Sequence, residues 1–160
     1  LFGSGPLLPE ALRAQQILAE QFGIGSDVWS VTSYCRLRRE ALAVDRYNAL
    51  HPTEPPRRSY LQETLDGLAG PFVAVTDYVK LVPDQIRQWV PGKYVTLGTD
   101  GFGRSDTRQA LRRHFEVDAE HVAFATLSVM SNTSGFEREQ LPTALKALGL
   151  DPASMDPATA

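Results

Sequence analysis

The chain has 160 residues, enough for one domain with its own core and too few for two domains of ordinary size. Hydrophobic residues make up 42% and charged residues 22%, a globular balance that excludes a disordered chain. Sixteen Lys and Arg against nineteen Asp and Glu give a formal charge of −3, so bulk electrostatics favour neither nucleic acid nor an anionic membrane.

The single cysteine, Cys35, excludes an intrachain disulfide and points to a reducing, cytoplasmic setting. No apolar run approaches the length of a membrane span, and Leu1 to Gly5 lacks the basic start and long apolar centre of a signal peptide. The chain opens without methionine inside what reads as the tail of a buried strand, so a piece of a longer polypeptide is expected. Residues 1–150 read as one α/β domain and residues 151–160 as a turn and a frayed tail.

In chain order, Leu1-Phe2 ends a strand that turns at Gly3-Ser4-Gly5-Pro6. A helix follows with Pro9 at its first position, Leu12, Ala14, Leu18 and Phe22 on one face, and Gly23 at its end. The third glycine of a dinucleotide loop is missing, because Leu8 stands where it would fall, so the βα turn reads as structural. Asp27 to Tyr34 has the β-branched and aromatic content of a strand, with Trp29 and Val31 directed to the core. From Cys35 to Leu50, Leu37, Ala41, Val44, Tyr47 and Leu50 fit a helix with Arg36, Arg38 and Arg39 on its wetter side.

Prolines at 52, 55 and 56 exclude helix and central strand from His51 to Arg58, leaving an ordered loop or a partner-facing arm. Tyr60 to Leu68 suggests a short helix closed by Gly67 or Gly70. Pro71 to Thr76 is a continuous apolar run, as expected for a strand covered on both faces. Asp77 can cap the next helix, which either starts at Pro83 or bends there, and Lys93 to Leu97 is the following strand. Strand, helix, strand in close succession implies right-handed parallel crossovers.

Three glycines, Gly98, Gly101 and Gly103, then lead into a basic helix expected to begin at Ser105 or Asp106. Asp118 caps a helix carrying Val122, Ala125, Thr126, Val129 and Met130. Asn132 to Gly135 separates it from a last helix with Leu141, Leu145 and Leu148, closed by Gly149.

The chemistry available is sparse. His51, His114 and His121 show no metal-ligand spacing, and Asp77, Asp100, Asp106 and Asp118 all stand where caps and turns want an aspartate. Gly-Arg-Ser-Asp at 103–106 can form an anion pocket from backbone donors, Arg104 and the Ser105 hydroxyl. The competing reading makes Asp106 the helix cap with Gln109 completing a capping box, and it leads. Asp100 remains an acid or base candidate without a fixed second carboxylate, and Arg104, Arg108, Arg112, Arg113 and His114 read as a surface or subunit contact.

Taken together, Thr76 to Leu81, Tyr94 to Asp106 and Arg112 to Asp118 resemble the C-terminal domain of homodimeric-type pyruvate dehydrogenase E1 components. Gly3-Ser4-Gly5, Gly25 to Ser33, Arg46-Tyr47-Asn48 and Leu50-His51-Pro52 support the same resemblance, which covers nearly the whole chain in order. It implies a transketolase-like αβα sandwich around a mainly parallel, five-stranded sheet with one strand that can run antiparallel, its first strand lying before Leu1.

The resemblance further implies an enzyme that decarboxylates pyruvate with thiamine diphosphate and Mg2+ and reductively acetylates the lipoyl group of an E2 partner, as a homodimer. Neither the family's glycine–aspartate diphosphate motif nor its activating glutamate is in the sequence, and Asp100-Gly101-Phe102 is not that motif. No catalytic, cofactor-binding or metal residue is therefore expected here. The domain's implied duty is dimer packing and the rim of the substrate entrance, with Asp100, Arg104, Ser105, Asp106 and His114 as candidates. Pro83 and the stretch from Asn132 to Pro142 depart from the family pattern. A regulatory module that binds an anionic metabolite is the alternative, and an independent nicotinamide enzyme would need its cofactor at Gly3 to Gly5.

Overall fold

A computed structural model of the chain describes every residue except Ala69, Ser134 and Ala160. Four strands form one sheet: β1 (Phe2–Gly3), β2 (Trp29–Ser30), β3 (Phe72–Val75) and β4 (Tyr94–Leu97), in the order β2-β1-β3-β4. Every pairing is parallel, with Phe2 opposite both Trp29 and Ala74, and Val73 opposite Val95. The parallel αβα expectation holds.

All four residues of β3 are buried, because apolar layers cover both of its faces. Val73 and Val75 face one layer, formed by α1 (Leu8–Phe22), α6 (Ala119–Ser131) and α7 (Leu141–Ala147), where Ala11, Ala14, Leu18, Val122 and Leu127 interlock. Phe72 and Ala74 face the other, where α2 (Tyr34–Leu50), α3 (Tyr60–Thr64) and α4 (Leu81–Asp84) supply Tyr34, Ala41, Leu61 and Val82, joined by Ile86 and Trp89. Helix α5 (Arg108–His114) lies at the edge of the first layer, with Leu111 and Phe115 against it.

Local chemistry moves several expected boundaries. A 3-10 turn at Gly5–Leu7 precedes α1, so Pro9 is its second residue, and Leu12 is 49% exposed rather than on the packed face. The strand expected over Asp27 to Tyr34 shrinks to Trp29–Ser30, because the Ser33 hydroxyl accepts from the Arg36 amide and starts α2 at Tyr34. Leu50 is 58% exposed instead of buried. Neither reading of Pro83 holds: α4 starts at Leu81 with Pro83 third, where its missing N–H is one the first turn leaves unpaired anyway, and a 3-10 turn follows at Arg87–Trp89.

The basic helix begins two to three residues later than expected, at Arg108, because Thr107 is the extended residue whose hydroxyl accepts from the Ala110 amide. Asp118 caps α6 as read, accepting from the His121 amide at 3.0 Å, and Gly149 follows α7 with φ +63. The proline-rich loop is ordered, as expected: Asn48 brackets Arg57 with two 2.8 Å hydrogen bonds, and the Arg57 guanidinium lies 3.3 Å from the Tyr47 ring centre. The last segment is turn structure, and within it Pro157 is buried against Gly101. Ser134, within the separator expected before the last helix, lies outside the described residues, as does Ala160 of the tail.

Candidate functional site

The chain leaves β1 for α1 on one face of the sheet and leaves β3 for α4 on the other. Neighbouring parallel strands whose connections diverge in this way open a crevice beyond their carboxyl ends, the common location of ligands in such sheets. Ser4, Asp77 and the loop from Gly98 to Asp106 stand at that end.

The loop is fixed by its neighbours. Thr99 donates its backbone N–H to the Tyr78 carbonyl at 2.9 Å and its hydroxyl to the Asp77 carbonyl at 2.8 Å. Gly98 lies so close that a Cβ there would meet the Tyr78 carbonyl oxygen at 2.5 Å. Gly101 has φ +99, and a Cβ on it would collide with the Pro157 carbonyl oxygen. Gly103 has no such constraint: a methyl in place of its hydrogen would point into open space, and its φ is not positive.

Asp100 is drawn into this scaffold: its Oδ1 accepts from the Lys80 amide at 2.9 Å, and its Oδ2 lies 4.0 Å from Lys80 Nζ. It thus steadies the start of α4 and stands apart from the other candidates. Arg104, Ser105, Asp106 and His114 do come together, around a cleft of about 370 Å³. Asp106 accepts from the Thr107 amide at 2.6 Å, so it supports the entry to α5 without being its cap, and no Asp106–Gln109 box forms. His114 turns its ring edge to Phe115, with centroids 4.9 Å apart, and its Nε2 is buried without a partner among the described residues.

A second cleft of about 440 Å³ adjoins the first and shares Arg104 with it. Asp77, Thr99, Gly103, Asp106, Arg108 and Arg112 line it together with the apolar Leu7, Leu111 and Phe115. Among the described residues, the guanidinium groups of Arg104 and Arg108 make no ion pair or hydrogen bond.

The other two arginines of α5 are engaged by the chain itself. Arg112 donates to Glu10 at 2.6 Å and to the Pro6 carbonyl at 2.9 Å, and Arg113 lies 3.0 Å from Asp118. Burial pushes the Asp118 carboxyl up, but hydrogen bonds from the His121 ring and amide, with the Arg113 charge, outweigh it and hold Asp118 below its usual range. Glu10 went unread in the sequence. Its signal was position, four residues before Ala14 and eight before Leu18, which places it on the buried stripe of α1.

The described residues contain no group of three His, Cys, Asp or Glu side chains arranged for a metal, and no helix among them is long and apolar enough to cross a membrane. Asp100 and Asp106, the carboxylates of the glycine loop, already accept backbone N–H groups. No group of three such side chains among the described residues is placed to hold a magnesium–diphosphate pair.

The family model for the transketolase-like TK C-terminal domain matches residues 1–118. A pyruvate dehydrogenase E1 component of Pseudomonas aeruginosa is 49% identical over 98% of the chain and 18% of its own length. Those of Cupriavidus necator and Escherichia coli K12 are 44% and 42% identical, each over 98% of the chain and 18% of their length. The chain therefore spans about a fifth of the length of these relatives. It belongs to the transketolase-like C-terminal domain family, in the form that aligns with pyruvate dehydrogenase E1 components.

Proposed function

We propose that this chain is the C-terminal domain of a thiamine-diphosphate-dependent pyruvate dehydrogenase E1, which works in the cytoplasm as a homodimer. The full-length protein decarboxylates pyruvate and reductively acetylates the lipoyl group of a dihydrolipoamide acetyltransferase E2 core. The observation that carries this reading is an identity of 40–49% to E1 components over almost the whole chain, across eight relatives. Thiamine diphosphate and Mg2+ are assigned to other segments of the full-length protein, where they supply the electron sink for decarboxylation. The part played here is structural: a rigid parallel sheet that holds a loop and a helix at one end.

That end also presents apolar surface. Tyr78, Val79, Leu81 and Phe102 are 64%, 47%, 75% and 83% exposed, and they flank the Gly98 loop that Asp100 and Thr99 fasten to the segment from Asp77 to Lys80. Large apolar side chains gathered on one side of a domain are a usual sign of a covered face, and in this reading the rest of the E1 dimer covers it. Asp100, Arg104, Ser105, Asp106 and His114 then sit at the rim of that interface. Calorimetric titration of thiamine diphosphate with Mg2+ tests the assignment: the full-length protein binds, and binding by the 160-residue chain alone would overturn it.

A second reading, a module that binds an anionic metabolite, is favoured by one observation: Arg104 and Arg108 line a cleft without a partner among the described residues.

A further inference from the structure

We propose that the cleft beyond the carboxyl ends of β1, β3 and β4 binds a small monoanionic organic acid, its carboxylate between Arg104 and Arg108 and its apolar body against Leu7, Leu111 and Phe115. This rests on the second reading above and gives it a ligand class.

Three observations carry the proposal. The cleft has a volume of about 440 Å³ and lies where strand connections diverge, within the usual size range and position of a small-ligand site. Its lining joins Leu7, Leu111 and Phe115 to Arg104 and Arg108, which suits a ligand with a charged head and a hydrophobic body. Its arginines are also unequal. Arg112 is held by Glu10 and the Pro6 carbonyl, whereas Arg104 and Arg108 retain every donor among the described residues. A guanidinium presents paired N–H groups that match a carboxylate.

The charge of the wall sets the ligand's charge. Asp77 and Asp106 share the lining with the arginines. Two carboxylates beside two free guanidiniums leave the lining with little net charge, which disfavours a polyanion and leaves one carboxylate seated between the arginines as the better match. Gly103 fits the same picture. Gly98 and Gly101 are required by the Tyr78 and Pro157 backbones, but no described residue requires a glycine at 103, where the loop lines the cleft. A bare backbone there leaves room for a bound molecule.

The test is a two-dimensional amide NMR titration of the chain with benzoate, using benzamide as neutral isostere and pyrophosphate as polyanion. Benzoate is expected to shift the amides of Gly103, Leu111 and Phe115 saturably, and benzamide and pyrophosphate to shift them little. Arg104→Gln and Arg108→Gln should each raise the benzoate Kd about tenfold, the loss of one charge-assisted contact. Gly103→Val should weaken benzoate while leaving the melting temperature unchanged. Benzamide binding as tightly as benzoate, shifts scattered over the surface, or an unchanged Kd in the double arginine variant would each overturn the site. Such a failure leaves the E1 assignment standing, because that is read from turnover by the full-length protein.

Discussion

Glu10 and Arg112, 102 residues apart, form a buried ion pair of 2.6 Å in which the carboxylate is only 4% exposed. The pair joins the first turn of α1 to the last turn of α5, and the second Glu10 oxygen takes the Ala119 amide at 3.0 Å and Arg13 at 2.9 Å. One carboxylate thus aligns three helices beneath the cleft.

Removing it leaves a largely buried guanidinium and a buried N–H without an acceptor. Glu10→Ala is therefore expected to destabilise the chain by about 3–5 kcal/mol. Glu10→Gln, which keeps an acceptor for Ala119, is expected to cost about 1–3 kcal/mol. Urea unfolding at neutral pH gives both values, and equal losses for the two variants would contradict the role given to the charge.

The three loop glycines should separate in mutagenesis. Gly98→Ala forces a methyl onto the Tyr78 carbonyl oxygen, and since that is backbone, a loss of about 1–3 kcal/mol is expected. Gly101→Ala meets Pro157 and adopts an unfavourable φ, so part of its cost should vanish in a chain shortened after Met155, where the colliding segment is gone. Gly103→Ala should fall within about 0.5 kcal/mol of the parent. Thermal melts of the three variants in both chain lengths resolve these contributions.

Asp118 makes stability depend on pH. Its carboxyl titrates lower in the folded chain than its ordinary value of 3.8, so the folded state binds fewer protons near that pH. The stabilisation is fully present above the unfolded value and is lost as pH falls through the folded one. Stability should therefore drop on acidification below about pH 4. Asp118→Asn keeps an acceptor for the His121 amide, so it should flatten that part of the profile while lowering stability at neutral pH. Denaturant midpoints measured from about pH 7 to about pH 2.5 check both effects.

What was legible in the sequence were features decided within a few residues. The apolar run at Phe72–Val75 could only be a doubly covered strand, and Asp118 and Gly149 bound their helices as caps and terminators do. Where two neighbours compete, sequence did not choose. Ser33 converts the end of an apparent strand into a helix start, and Thr107 outcompetes Asp106 because it is Thr107 that takes the extended backbone with its hydroxyl over Ala110.

Long-range partners were illegible altogether. The buried state of Glu10 depends on Arg112, the glycine at 101 depends on Pro157, and Asp100 is engaged by Lys80, so its suitability as an acid or base could not be judged from its own surroundings. Of the five candidates, Arg104, Ser105, Asp106 and His114 share a cleft, and Asp100 belongs to the scaffold.

Under the proposed function, the chemistry lies outside the segment described and this segment orders one end of a larger enzyme. Pyruvate-dependent acetylation of a lipoyl domain, followed by mass spectrometry with thiamine diphosphate and Mg2+ present, tests it most directly. The full-length protein should acetylate the lipoyl domain and the 160-residue chain alone should not. Acetylation by the chain alone, or none by the full-length protein under the same conditions, would contradict the account.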